Sequence, residues 1–251
     1  MASRDPLDGR SALITGASAG IGRATAHALA RDGADVVVAA RRESRLREVA
    51  ESVAAEHGVE AHAVPTDVTD YDGVESLVEA TVEAFGGLDL VVSNAGIGTP
   101  RNTPVDELTL DQYHDVMAVN TDGMFYTARA TVPHLRESAG TFVFVGSFAG
   151  KHPRPHGPVY AATKWWTQGF ALSLSGQVGE DDVAVSVVNP AGVTTEFGKE
   201  HRERTNEERL DPDEVLVPED VADAIAYAAR QERPNTVSEL NIYNRDKFSG
   251  F

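Results

Sequence analysis

The sequence has no cysteine, so a disulfide frame, a thiolate metal site and a thiol nucleophile are all excluded. Lysine is almost as scarce, present only at Lys151, Lys164, Lys199 and Lys247, and most cationic positions are arginine. Long apolar runs are missing too. None approaches the roughly 18 residues that a membrane-spanning helix needs, and the opening MASRDP has no apolar stretch of the kind a secretory leader carries. The chain therefore reads as soluble and cytoplasmic, with no membrane partner. Positive charge is in short supply, with 22 Lys and Arg against 39 Asp and Glu for a net charge of −17. That balance argues against nucleic acid or an anionic surface as the main partner. An acidic surface this poor in lysine reads as halophilic, its self-repulsion screened by concentrated counterions. An ordinary acidic soluble enzyme is the plainer alternative.

What is present is enough apolar content, 41% of 251 residues, for one sizeable core. The apolar run Ser11–Thr15 leads at once into Gly16-Ala17-Ser18-Ala19-Gly20-Ile21-Gly22 and then a helical pattern. A strand, a glycine turn and a helix in succession set backbone N–H groups and a helix N-terminus against the turn, which suits a phosphate. The spacing G-x-x-x-G-x-G departs from the literal G-x-G-x-x-G dinucleotide fingerprint. A second strand, Asp35–Ala40, carries continuous valines, as a strand buried on both faces does. An acidic residue near its end would hold an adenosine ribose 2′-hydroxyl. Here Arg41 and Arg42 follow instead, two guanidiniums able to hold a 2′-phosphate with no carboxylate to repel it, which favours NADP over NAD.

Further along, Glu43–His57 and Tyr71–Phe85 read as helices, and residues 59–64, 88–93, 142–146, 183–188 and 236–243 as strands. Asp67 ends the third strand, where it could accept from an adenine amino group or cap the turn. The fourth runs into Asn94-Ala95-Gly96, small residues that let a backbone approach a ligand. Residues 110–129 have helical spacing with Asn120 in the middle, either exposed or marking a local distortion, because asparagine competes for helix backbone bonds. Strands alternating with helices imply an α/β fold, a doubly wound parallel sheet of about seven strands, Rossmann-like. No repeat or linker divides it, so one domain is expected over residues 1–251. The charged stretch 201–213 reads as a mobile flap over the site, within a flap region spanning 193–213, or as a plain solvated helix.

Ser147 stands directly after the fifth strand, where ligands sit in open α/β sheets. Thirteen residues on comes Tyr160-Ala-Ala-Thr-Lys164. On a helix, Tyr160 and Lys164 share a face, and a nearby cation is expected to lower the phenol's pKa from about 10 and make it a usable acid/base. These motifs in this order resemble the short-chain dehydrogenase/reductase family of the compact single-domain, NADP-preferring type, over nearly the whole chain. The resemblance implies that Tyr160 is the general acid/base, that Ser147 holds the substrate oxygen, and that Lys164 tunes the tyrosine and binds the nicotinamide ribose. It implies that Asn120 distorts its helix to hold a water linking Lys164 to solvent. It also implies that Gly16, Ser18, Gly20, Ile21 and Gly22 cradle the pyrophosphate, that Asp67 and Val68 hold the adenine, and that Asn94, Ala95 and Gly96 hold the ribose. Pro190, Val193 and Thr195 would orient the carboxamide. Ser93 and Ala191 depart from the family's Asn-Asn-Ala-Gly and Pro-Gly patterns.

The expected activity is interconversion of a secondary alcohol and a ketone, with a short 3-hydroxy acid or small carbonyl compound as substrate. The alternatives are a 3-oxoacyl thioester reductase, disfavoured by the acidic surface that a carrier protein would meet, and a non-catalytic NADP-sensing regulator, disfavoured by the intact Ser147, Tyr160 and Lys164. His152 and His156 flank prolines with no adjacent carboxylate, so they read as rim residues and no metal is expected. A homodimer or homotetramer is expected through the Asn120 and Tyr160 helices, with Trp165-Trp166 suited to a buried contact or one of them to the core.

Overall fold

The fold was obtained as a computed structural model and describes residues 5–249. Of the single domain expected over 1–251, residues 1–4 and 250–251 lie outside the described part, and with them most of the opening stretch read for a leader. Seven strands form one sheet: β1 (Ser11–Thr15), β2 (Asp35–Ala40), β3 (Ala61–Pro65), β4 (Leu90–Ser93), β5 (Thr141–Val145), β6 (Ala184–Pro190) and β7 (Glu239–Ile242). All pairings are parallel, in the order β3-β2-β1-β4-β5-β6-β7. The order reverses between β1 and β4, and a crevice opens there at the strands' carboxyl ends.

Alternation along the strands builds two cores, one on each face. Ala12, Ile14, Val36, Val38, Val92 and Val143 face α1 (Gly20–Arg31), α2 (Glu43–His57) and the last helix, Pro218–Ala229. Leu13, Val37, Val91, Phe142 and Phe144 face α3 (Tyr71–Phe85) and the two long helices that follow. The central strands are buried throughout, so their sequences run apolar without alternation.

Boundaries differ from expectation where packing overrides pattern. β3 begins at Ala61 rather than Val59 and is half-exposed at the sheet edge, and β6 runs on to Pro190. The helix expected over 110–129 is broken. It comprises α4 (Leu110–Met117), a π turn over Ala118–Asp122, and α5 (Gly123–Ser138). Thr109 starts α4 with a capping box closed by Gln112. The longest helix, α6 (Pro158–Val178), opens with proline in its first turn, where a missing N–H costs nothing. The last helix, α7, was not assigned from sequence. Its buried residues are mostly alanine, too small to mark a stripe.

Candidate active site

The glycine turn after β1 is built by close approach. Gly16 takes a left-handed φ of +66°, and a Cβ there would lie 2.8 Å from the Ala95 Cα. A Cβ on Gly22 would lie 2.4 Å from the Gly16 carbonyl oxygen. Asn94 locks this turn to β4, its Nδ2 donating to the Thr15 and Gly16 carbonyls at 3.0 and 3.1 Å, while the Asn94 and Ala95 N–H groups donate to Thr15 Oγ1. The ties come from Asn94 onward, which explains why Ser93, buried in β4, is tolerated where the family has asparagine. Ala19 at the N-cap of α1 offers no side-chain acceptor, so the helix N-terminus is uncapped by any side chain. Left-handed glycine, close backbone contact and an uncapped N-terminus fit a pyrophosphate.

The turn forms one end of a cleft of about 740 Å³. Its lining includes Gly16, Ser18, Gly20, Ile21, Arg41, Arg42, Asp67, Val68, Asn94, Ala95 and Gly96 from one half, and Ser147, Tyr160, Lys164, Pro190, Val193 and Thr195 from the other. Gly22 supports the turn from behind, and Asn120 lies beneath the cleft, fully buried. Asp67 Oδ1 accepts from the Thr69 N–H and hydroxyl at 3.0 and 2.8 Å and so caps the turn, and the residue also lines the cleft. Ala191 donates its N–H to the Ile242 carbonyl at 3.0 Å and is not among the residues of positive φ, so glycine is not required there.

Asn120 marks a distortion rather than an exposed site. In the π turn it becomes a clamp: Oδ1 accepts from the Ile97 N–H, and Nδ2 donates to the Ile97 carbonyl and to Thr163 Oγ1, at 2.9, 2.9 and 3.1 Å. Thr163 in turn donates to the Tyr160 carbonyl at 2.8 Å, tying α6 to the loop after β4. Ser147 is fixed from β6, its N–H donating to Asn189 Oδ1 at 3.1 Å, and its hydroxyl accepts from the Ala149 N–H at 3.1 Å.

Lys164 is buried at 4% exposure, and its Nζ donates to the Val145 carbonyl at 2.9 Å. Desolvation lowers its pKa to about 8. The expectation that Lys164 draws the phenol's pKa down is not met, since Lys164 is not among the groups that shift it. Burial raises the Tyr160 pKa, and the groups that pull it back are Ser147, Arg202 and Arg154. The reason is geometric: Lys164 Nζ is turned to the backbone and stands 6.0 Å from the tyrosine ring centre.

A second correction concerns the arginines. Arg42 donates to Ser18 Oγ from Nε and Nη2 at 3.1 and 2.9 Å, and from Nη1 to Glu196 at 2.6 Å. Arg45, which sequence reasoning missed, also pairs with Glu196, and Arg41 lies 4.0 Å from Glu200. A carboxylate does therefore meet these guanidiniums, brought by the chain after β6. Partial burial would raise the Glu196 pKa, but the two arginines outweigh it and hold the pKa near 2. Arg42 keeps further N–H donors and Arg41 is largely exposed, so a 2′-phosphate still has partners.

The segment expected as a flap or a solvated helix contains no helix. Residues 196–213 run as successive turns, fastened by Glu196 at one point and by Arg202 Nε donating to the Thr99 carbonyl at 2.9 Å at another. His156 lines the cleft, whereas His152 stacks on Phe148 at 4.3 Å. Among the described residues, no helix is long and apolar enough to cross a membrane.

A family profile described as short chain dehydrogenase matches residues 10–206. The glycine betaine reductase ATRR of Emericella nidulans is 34% identical over 97% of this chain, which spans 19% of that longer protein. An alcohol dehydrogenase from the archaeon Thermococcus sibiricus, solved with 5-hydroxy-NADP, superposes with a TM-score of 0.85 at 30% identity, covering 94% of this chain and 97% of the other. A 3-ketoacyl-(acyl-carrier-protein) reductase from Brucella melitensis, solved with NADH, gives a TM-score of 0.83 at 28% identity over 94% and 98% of the two chains.

Proposed function

Because the chain belongs to the short-chain dehydrogenase/reductase family, we propose that it is an NADP-dependent oxidoreductase interconverting a secondary alcohol and a ketone, a short 3-hydroxy acid among the candidates. The observation that carries this reading is the convergence of Ser147, Tyr160 and Lys164 in one cleft with the glycine cradle. NADPH held in this cradle would supply a hydride for the carbonyl carbon. Tyr160 delivers the proton to the carbonyl oxygen, and its raised pKa keeps the phenol protonated at neutral pH. Ser147 donates to the same oxygen as charge develops on it. Lys164, whose Nζ lies 3.7 Å from where a Gly96 Cβ would be, would hold the nicotinamide ribose. The site has a complete proton donor and oxygen holder, which favours catalysis over a sensing role. The likeness to a ketoacyl reductase keeps a 3-oxoacyl thioester as the second reading.

Turnover is tested by NADPH oxidation against a panel of ketones, with none reduced as the refuting outcome. Cofactor choice has its own test. Replacing both Arg41 and Arg42 by alanine should raise the KM for NADPH by about 30-fold or more, since charge-assisted contacts are lost. The KM for NADH should change little, and an equal rise for both would refute the phosphate assignment.

Phe125 on α5, with Trp165 and Leu172 on α6, is exposed at 41%, 49% and 76%. This supports a homodimer or homotetramer built on those helices. Trp166 stacks on Phe170 at 4.7 Å, leaving Trp165 as the interface candidate. If the acidic surface is a salt adaptation, the melting temperature should rise between low and molar KCl. Light scattering in the same buffers should give two or four chains per particle, and a flat melting curve or a monomer would count against the respective proposal.

A further inference from the structure

Acidic residues outnumber basic ones 39 to 22 in this chain, yet the substrate end of the cleft is lined by Arg101, Arg154, Arg202, Arg209 and Lys247. Among the described residues none of the five is ion-paired to a carboxylate, in contrast to Arg42, Arg45 and Lys151 nearby. Of the carboxylates in the cleft lining, Glu196 pairs with Arg42 and Asp67 caps its own turn, while Glu200 lies 4.0 Å from Arg41 and also attracts Arg202 without an ion-pair contact.

What holds these cations is aromatic rings and backbone. Arg202 lies over Phe197 at 4.9 Å, and Phe197 packs against the Tyr160 ring at 5.5 Å. Lys247 and Arg154 lie over Phe148 at 4.6 and 5.9 Å, and Phe148 directly follows Ser147. Each of the two reacting hydroxyls thus has a ring beside it that carries a cation. Arg202 commits only Nε, to Thr99, which leaves its terminal N–H groups without a hydrogen-bond partner. Arg202 is partly buried and Arg209 is exposed; burial first and repulsion from Arg101 next make both guanidiniums give up their protons more easily than usual, while at Arg202 attraction to Tyr160 and Glu200 opposes the shift. Like charges gathered in a partly dry site with no carboxylate in direct contact among the described residues are costly unless an anion joins them.

We propose that the substrate is an anionic carbonyl compound, whose carboxylate or phosphate-type group is held by Arg202, supported by Arg154, while its carbonyl meets Ser147 and Tyr160. The proposal rests on the oxidoreductase reading for the carbonyl end, and rests on the arginines alone for the anion. Arg202 and Tyr160 both contact the Phe197 ring, so the anion belongs on a short substrate rather than at the end of a long one.

The test compares four probes with NADPH and the full-length protein: acetoacetate, 2-oxopropylphosphonate, methyl acetoacetate and pentane-2,4-dione. The expected result is a kcat/KM for at least one anion about 30-fold or more above that for the ester, and a fall in that ratio of about 30-fold in Arg202→Gln, partly restored in Arg202→Lys. The ratio is internal to each variant, so a general loss of folded enzyme does not move it. The carboxylate and phosphonate arms show which anion is preferred. A second readout is calorimetric titration of 3-hydroxybutyrate and its methyl ester into the Tyr160→Phe protein. Binding of the acid alone, lost in the further Arg202→Gln change, supports the anion site even if no probe is reduced, and in that case only the redox reading fails. Reduction of the esters as efficient as that of the acids, or no binding of 3-hydroxybutyrate, overturns the proposal.

Discussion

Replacing Tyr160 by phenylalanine is expected to lower kcat for ketone reduction by about 10²–10⁴-fold, the range for losing a positioned general acid, with NADPH binding nearly intact. The change removes one oxygen from a ring that packs against Phe197, so the packing survives. What goes is the proton donor nearest the developing alkoxide, and Ser147 alone must then hold that oxygen. Because burial holds the phenol protonated, the deficit should persist through neutral pH and not be recovered by acidification. The comparison is of kcat in the two proteins and of NADPH affinity by fluorescence or calorimetry. A variant within tenfold of the parent would move the acid role to another group, whereas a loss of both kcat and nucleotide binding would indicate damage to the fold.

The second large effect concerns Lys164. Desolvation brings its pKa from 10.5 to about 8, so the cation is present below that pH and lost above it. In the reducing direction kcat/KM should be level at lower pH and fall as pH rises through about 8. Lys164→Met should flatten that limb and cost about 10²-fold or more, comparable to losing one preorganised donor at a reacting centre. Stability should move the other way. The unfolded chain binds this proton more readily than the folded one, so stability from this residue rises with pH between about 8 and 10.5. At neutral pH the buried charge is a penalty, and Lys164→Met should raise the melting temperature while it lowers the rate. Retained activity with an unchanged pH limb would remove Lys164 from the mechanism.

The parts of the site readable in sequence are those whose geometry is local. Gly16 to Gly22 lie in one turn, and Tyr160 and Lys164 sit one helical turn apart on α6, so spacing alone brings them to one face. Asn120 was readable as an anomaly because a buried asparagine inside a helix must find partners outside it, and the π turn is how it reaches Ile97. The cations of the substrate end were not readable. Arg202 meets Thr99 and Arg42 meets Glu196 across separations of 103 and 154 residues, through turns that carry no periodic pattern. For the same reason the sequence offered no sign that Glu196 would face Arg42 and Arg45. The direction of the Tyr160 shift was missed because spacing reports a neighbour's charge but not the burial that opposes it.

Hydride transfer beside Tyr160 is tested most directly by supplying NADPH deuterated at the nicotinamide C4 together with a reducible ketone and locating the label in the alcohol. The account predicts deuterium on the carbinol carbon, with the hydroxyl proton drawn from solvent by way of the protein, and a sharp loss of labelled product in Tyr160→Phe. NADPH left unoxidised across the ketone panel, or an alcohol formed without deuterium at that carbon, would contradict it.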